Sequence, residues 1–98
     1  MTIKKTLNND ALTLEIIGRL DTTTAPELET EIDQSLDNVS SLILDCGNLD
    51  YMSSAGLRVI LKAQKIMNVK GEMKLINVSD IIMEIFDITG FSDILTIE

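Results

Sequence analysis

Ser53 and Ser54, in the stretch LDYMSSAGLRVIL from Leu49 to Leu61, are the residues of this chain best placed to do chemistry. They stand between an apolar approach and the small-residue step Ala55-Gly56, which opens a further apolar run. One use of such a serine is to cap a helix, its oxygen accepting from a free backbone N–H at the helix start. The other is to accept a phosphoryl group. A hydroxyl in the first helical turn is exposed, and the positive end of the helix dipole tolerates an added anion. Phosphorylation there adds about 1.5–2 negative charges and three strong acceptors without breaking the fold. Gly56, having no side chain, is expected to leave the site open to a kinase. Arg58, four residues after Ser54 and on the same helical face, is placed to neutralise part of a phosphate.

Little else in the chain competes with the serines. The 98 residues include no histidine, which removes Ser-His-Asp triads, Cys-His pairs, imidazole bases and His metal sites together. Cys46 is the one cysteine, so neither an internal disulfide nor a cysteine metal cluster is available, and its expected role is a small buried apolar side chain at a strand end. No P-loop or dinucleotide fingerprint is present, and no cofactor is expected. Asp45 and Asp50 form a formal carboxylate pair, but on a chain of net charge −8 they read as surface acids, and no enzyme activity is expected. Sixteen acidic residues against eight basic ones repel a phosphate backbone, and 3% aromatic content offers few stacking platforms, so nucleic acid is not expected as a ligand. The N-terminal stretch lacks the pattern of a signal peptide, and no apolar run reaches the roughly 18 residues of a membrane span. These features lead to the expectation of a cytoplasmic protein with no membrane partner.

The length suits one domain over residues 1–98, and the 45% apolar content suffices for its core. Residues 2–7 and 11–18 read as strands joined by the turn sequence NND, with Leu12, Leu14 and Ile16 alternating with Thr13 and Glu15. Thr24 and Glu27 have capping-box spacing at the head of a helix carrying Leu28, Ile32, Leu36 and Val39 to about residue 38. The run SLILDC at 41–46 suggests a strand buried on both faces, and GNLDYMS a loop. A helix is expected from Ser54 to Asn68, a strand at 72–77, a third helix capped by Ser79 and stopped by Gly90, and a last strand or frayed tail at 93–97. The order β-β-α-β-α-β-α-β argues for an α/β fold, a mixed sheet with helices packed on it. In such sheets functional groups gather beyond the carboxyl ends of the strands. Asp21, Thr22, Thr23, Ser53 and Ser54 would share one surface there if their strands are neighbours. Ile81, Ile82, Ile85 and Phe86 give the third helix more apolar surface than one face needs. Such stripes usually complete the core, and exposure of Ile81 or Met83 would instead mark an interface.

The motif LDYMSSAGLRVIL resembles the signature of the STAS domain family, specifically its small stand-alone anti-sigma factor antagonists. EIIGRLDTTTAPELE resembles that family's second strand and first helix, and ITGFSDILTI its C-terminal end, so the likeness spans nearly the whole chain. The resemblance implies a STAS-like domain that, when unphosphorylated, binds an anti-sigma factor, often a serine protein kinase, and so releases a sigma factor. Phosphorylation ends that binding and a separate serine phosphatase restores it. The family's phosphorylated serine, two residues before the glycine, falls on Ser54, with Ser53 as the lesser alternative. Many members carry Asp before the phosphoserine where this chain has Ser53, and a hydroxyl residue after it where this chain has Ala55. Asp21 matches an acidic position near the partner surface. The partner-binding set is then Asp21, Thr22, Thr23, Ser53, Ser54, Gly56, Leu57 and Arg58. The alternative is a STAS scaffold or transporter-associated subunit that binds its partner without phosphorylation.

Overall fold

The computed structural model describes residues 1–98. Strands β1 (Thr2–Asn8) and β2 (Ala11–Leu20) form an antiparallel hairpin turned at Asn9, which takes a φ of 59°, a value Asn tolerates. β3 (Ser41–Asp45) runs parallel to β2, and β5 (Glu72–Ile76) runs parallel to β3, giving the order β1-β2-β3-β5. Helices α1 (Ala25–Ser35), α2 (Ser54–Lys70) and α3 (Asp80–Thr89) complete an α/β domain.

The register shows why the alternation in β2 matters. Leu12 pairs with Leu42 and Leu42 with Met73; Leu14 pairs with Leu44 and Leu44 with Leu75. These rows share one face of the sheet and are buried there with Leu28 and Ile32 of α1 and Ile60, Ala63 and Met67 of α2. The opposite face carries Thr13, Ile43 and Lys74 in one row and Glu15, Asp45 and Ile76 in the next, all half-buried. β3 is therefore buried on one face, not two. Its continuous apolar run arises because Ile43 lies on the half-exposed face while Leu42 and Leu44 fill the core.

Three further expectations change. The segment taken for a loop contains a fourth strand, β4 (Leu49–Met52), parallel to β2. From the Glu15–Asp45 pair to the Gly18–Leu49 pair, β2 advances three residues and the other chain four, so β4 continues the line of β3 past an inserted residue. A second irregularity at Gly18/Arg19 leaves Asp50 and Tyr51 both exposed between buried Leu49 and Met52. The expected strand at 93–97 is reduced to a 3-10 turn at Phe91–Asp93 and a single bridge between Ile97 and Leu75. The order is thus β-β-α-β-β-α-β-α. α1 stops at Ser35, although Leu36 and Val39 are buried as their spacing required.

At the end of α3 Gly90 takes a φ of 80°, and its N–H donates to the Asp87 carbonyl, so the helix stops where expected. Ser79 caps the start, its oxygen accepting from the Ile82 N–H at 3.3 Å.

Cys46 is fully buried at the end of β3, as its type suggested. Burial, followed by the charge of Asp45, pushes its thiol up to about 12 from an ordinary 9.0. Between those values the unfolded chain sheds a proton that the folded chain keeps, so stability falls as pH rises. By pH 10.5 this linkage is expected to remove about 2 kcal/mol. Urea midpoints at pH 8 and 10.5 test it: the fall is expected to be smaller in Cys46→Ala than in the parent chain.

Candidate functional site

The carboxyl ends of β2 and β4 lie side by side, with Leu20 paired to Met52. The Ser53 N–H donates to the Leu20 carbonyl at 2.9 Å, fastening the start of α2 to the end of β2. The two loops named from the sequence therefore meet on one edge of the sheet, as expected if their strands are neighbours.

The turn after β2 is built around Asp21. Its Oδ1 accepts from the N–H groups of Thr23 at 3.0 Å and Thr24 at 3.1 Å, and from the Thr23 hydroxyl at 2.8 Å. Its carbonyl accepts from the Ala25 N–H at 2.8 Å. Asp21 thus does the work that the capping-box spacing assigned to Thr24. The Thr24 hydroxyl instead donates to the Arg19 carbonyl and accepts from the Asp21 N–H, both at 2.8 Å, because its backbone is already helical. The Thr23 hydroxyl is the largest cause of an Asp21 carboxyl below the ordinary range; desolvation opposes it, and the Thr24 and Thr23 N–H groups reinforce it. A lowered carboxyl contributes stability that is present above the ordinary Asp range and lost as pH falls through the lowered value.

The serines separate sharply. Ser53 occupies the N-cap of α2 in extended backbone, yet its hydroxyl makes no capping hydrogen bond. The Ser53 Oγ is buried with no partner at all. Ser54, the first helical residue, is exposed. One residue of helical rotation has turned one hydroxyl inward and the other outward. Ser53→Ala removes a buried unpaired hydroxyl and no cap, so it is expected to leave stability unchanged or to raise it by up to about 1 kcal/mol. A fall of the ordinary N-cap size in chemical denaturation would count against this geometry.

Gly56 and Leu57 face inward, and both are buried. A Cβ on Gly56 would stand 2.6 Å from Leu20 Cγ and 3.1 Å from Met52 Cγ. The missing side chain thus lets α2 approach the strand ends; it does not open the surface to a kinase. Neither residue belongs to an exposed contact set, because the inward face of the first turn is core.

Arg58 is exposed and joins no ion pair, whereas Lys62, one turn on, is held 3.0 Å from both Glu29 and Asp33 of α1. Thr22, Pro26, Glu29, Ala55, Arg58 and Lys62 line a groove of about 470 Å³ between the two helices. The groove unites the loop after β2 with the first turn of α2, and Arg58 is its uncommitted cation. Thr22 and Thr23 are exposed beside it.

One pair escaped the sequence reading. The Arg19 guanidinium lies 4.4 Å over the Tyr51 ring, and its Nε stands 3.7 Å from Asp21 Oδ2. Both side chains are accessible, so the ion pair itself adds little stability. The pair exists because Arg19 and Tyr51 are register partners in β2 and β4. Recognising β4 as a strand was the signal required. An exposed Tyr and Arg side by side are the residue types that most often anchor protein interfaces.

Among the described residues no group of three or more Cys, Asp or Glu is placed to hold a metal, and no helix is long and apolar enough to cross a membrane. What the arrangement offers is one exposed hydroxyl on a helix start, a nearby cation, and a protein-sized surface around them.

A family model described as the STAS domain matches residues 2–98. BtrV of Bordetella bronchiseptica is 39% identical over 79 residues, covering 79% of this chain and 68% of that protein. The anti-sigma-B factor antagonist of Bacillus subtilis is 31% identical over 91 residues, covering 92% of this chain and 84% of that one. Among solved structures, an anti-sigma factor antagonist from Mycobacterium paratuberculosis superposes with a TM-score of 0.88 at 18% identity, covering 98% of this chain and 83% of the other. SpoIIAA in its unphosphorylated form gives 0.72 at 18% identity, covering 99% and 87%. At those identities the structural likeness speaks for the fold.

Proposed function

The chain belongs to the STAS domain family, and from that premise we propose that it is an anti-sigma factor antagonist switched by phosphorylation of Ser54. In its unphosphorylated form it binds an anti-sigma factor through the edge carrying Ser54, Arg58, Thr22, Thr23 and the Arg19–Tyr51 pair, which frees the sigma factor. The anti-sigma factor, or a serine protein kinase associated with it, phosphorylates Ser54 and ends the complex. A serine phosphatase resets it. The protein serves as substrate and binder, acts in the cytoplasm and catalyses nothing itself.

The observation that carries this reading is the opposite placement of the two serines. Ser54 offers an exposed hydroxyl at a helix N-terminus, and the Ser53 hydroxyl is buried. Similarity to the Bacillus subtilis and Staphylococcus aureus anti-sigma-B factor antagonists, over 92% and 97% of this chain, supports the choice of partner class. Asp21 supports the surface from within, as the residue that shapes the turn, and Gly56 and Leu57 support it by seating α2.

Site-localising mass spectrometry of the protein from its own cells, in growth and under stress, tests the proposal. One phosphoryl group on Ser54, with occupancy that changes between conditions, is the expected result. A chain unmodified in every condition would transfer the assignment to a phosphorylation-independent scaffold.

A further inference from the structure

Helix α3 buries Ile82 and Phe86 completely, yet Ile81 is 66% exposed and Ile88 77% exposed. Ile81, Ile85 and Ile88 recur at the i, i+4 and i+7 positions, which place them on one side of the helix, with Ile85 half-buried. Ile85 packs against the rim of the core, and Ile81 and Ile88 lie outside it. From Asp80 to Glu98 the chain carries five acids, Asp80, Glu84, Asp87, Asp93 and Glu98, and no Lys or Arg. Asp80, Glu84 and Asp87 repeat the same spacing one residue earlier, so they form an acidic row alongside the isoleucines, about 100° round the helix.

Asp87 is informative. It occupies the last turn of α3, where the negative end of the helix dipole disfavours an acid, and no basic residue stands there to offset it. The isolated domain gains nothing from that placement. A basic partner would gain from all three acids and from the dipole end together.

We propose that the outer face of α3 is a second docking surface, whose occupant is an amphipathic helix carrying Lys and Arg beside its apolar stripe. Its apolar residues pack along Ile81, Ile85 and Ile88, and its cations meet Asp80, Glu84 and Asp87. Packing of helix ridges into grooves supplies the contact, and the charges supply register and partner choice. A second copy of this chain is disfavoured as occupant, because pairing two such faces sets the same acids against each other on chains already at −8. The proposal does not rest on Ser54: α3 is a separate element, and its outer stripe is exposed irrespective of the serine's state.

The test uses the intact unphosphorylated protein and two synthetic helical peptides with the same leucine stripe, one with Lys and the other with Glu at every polar position. Amide chemical shifts followed by NMR report where each binds. The Lys peptide is expected to shift residues 80–89, to bind at least about tenfold more weakly when salt is raised from about 0.05 to 0.5 M, and to bind Ser54→Asp unchanged. Ile81→Ser combined with Ile88→Ser, at positions too exposed to unfold the chain, is expected to weaken it at least tenfold. Equal binding of the Glu peptide, shifts spread over acids remote from α3 such as Asp33 and Asp37, or an unchanged affinity in the double variant would each overturn the proposal. Concentration-dependent shifts of residues 80–89 in the protein alone would overturn it in favour of a dimer.

Discussion

Ser54→Asp is expected to lose about a hundredfold or more of the affinity for the anti-sigma partner, while Ser54→Ala keeps binding and is no longer modified. The size follows from desolvation. Ser54 is exposed in the free chain but central to the proposed interface, so a new carboxylate there must leave water with only Arg58 as a candidate counter-charge. An unfavourable difference of about 3 kcal/mol corresponds to more than a hundredfold in affinity. A phosphoryl group, with nearly twice the charge, is expected to do more. Asp21 and Asp50 add like charge at the same edge, and neither is neutralised strongly: the Arg19 contact with Asp21 is long and solvent-exposed. Titration calorimetry of the parent chain, both variants and the enzymatically phosphorylated chain against the purified anti-sigma factor measures the differences. Equal affinity of the phosphorylated and unmodified chains would sink the switch. Circular dichroism is expected to be the same for all four, since an anion at the start of α2 agrees with the helix dipole.

Substitution of Gly56 is expected to have the largest effect on stability. A Cβ there falls 2.6 and 2.9 Å from two atoms of Leu20, which is fully buried, and 3.1 Å from Met52. None of these side chains has solvent to move into. Overpacking of a filled core costs about 1–3 kcal/mol, and the better helix propensity of alanine returns at most about 1. Gly56→Ala is thus expected to be less stable by up to about 2 kcal/mol, and Gly56→Val by more. In a domain of this size each 1 kcal/mol lowers the thermal midpoint by about 4–8 °C. Leu20→Val beside Gly56→Ala makes room for the methyl, so the double variant is expected to be more stable than the sum of the single losses allows. Strict additivity in chemical denaturation would mean that α2 has moved instead, and partner binding would then fall with it.

The parts of this fold that sequence periodicity announced are those with many residues voting together. Leu12, Leu14 and Ile16 fix the buried face of β2, and the α2 stripe from Leu57 to Met67 fixes its inward side. β4 gave no such vote: it has four residues, two of them exposed in succession, because the irregularity at Gly18/Arg19 breaks the alternation. With β4 hidden, so was the Arg19–Tyr51 stack, which depends on a register partner 32 residues away. The place of the candidate site in the fold was legible, since helix starts and serines leave a local mark. Which hydroxyl faces outward was not legible in the residues alone; only the family resemblance singled out Ser54. Ser53 and Ser54 are identical in type, and the Leu20 carbonyl that holds the Ser53 N–H belongs to a distant strand. Gly56 shows the same limit, for an absent side chain reads as access until its neighbours are known.

The clamp that joins Ser53 to Leu20 has a consequence for recognition. The Ser53 N–H is bonded to Leu20 and its carbonyl accepts from the Leu57 N–H at 3.0 Å, so Ser54 is presented on a closed helical turn. Drawing it out as an extended strand would break both bonds and expose Leu57 and Met52. Under the proposed switch, a kinase acting on Ser54 is expected to read a folded epitope assembled from β2, β4 and α2 in place of a linear consensus. A free peptide of residues 49–61 would carry the right letters and lack the shape, and specificity would reside in the tertiary structure of the substrate.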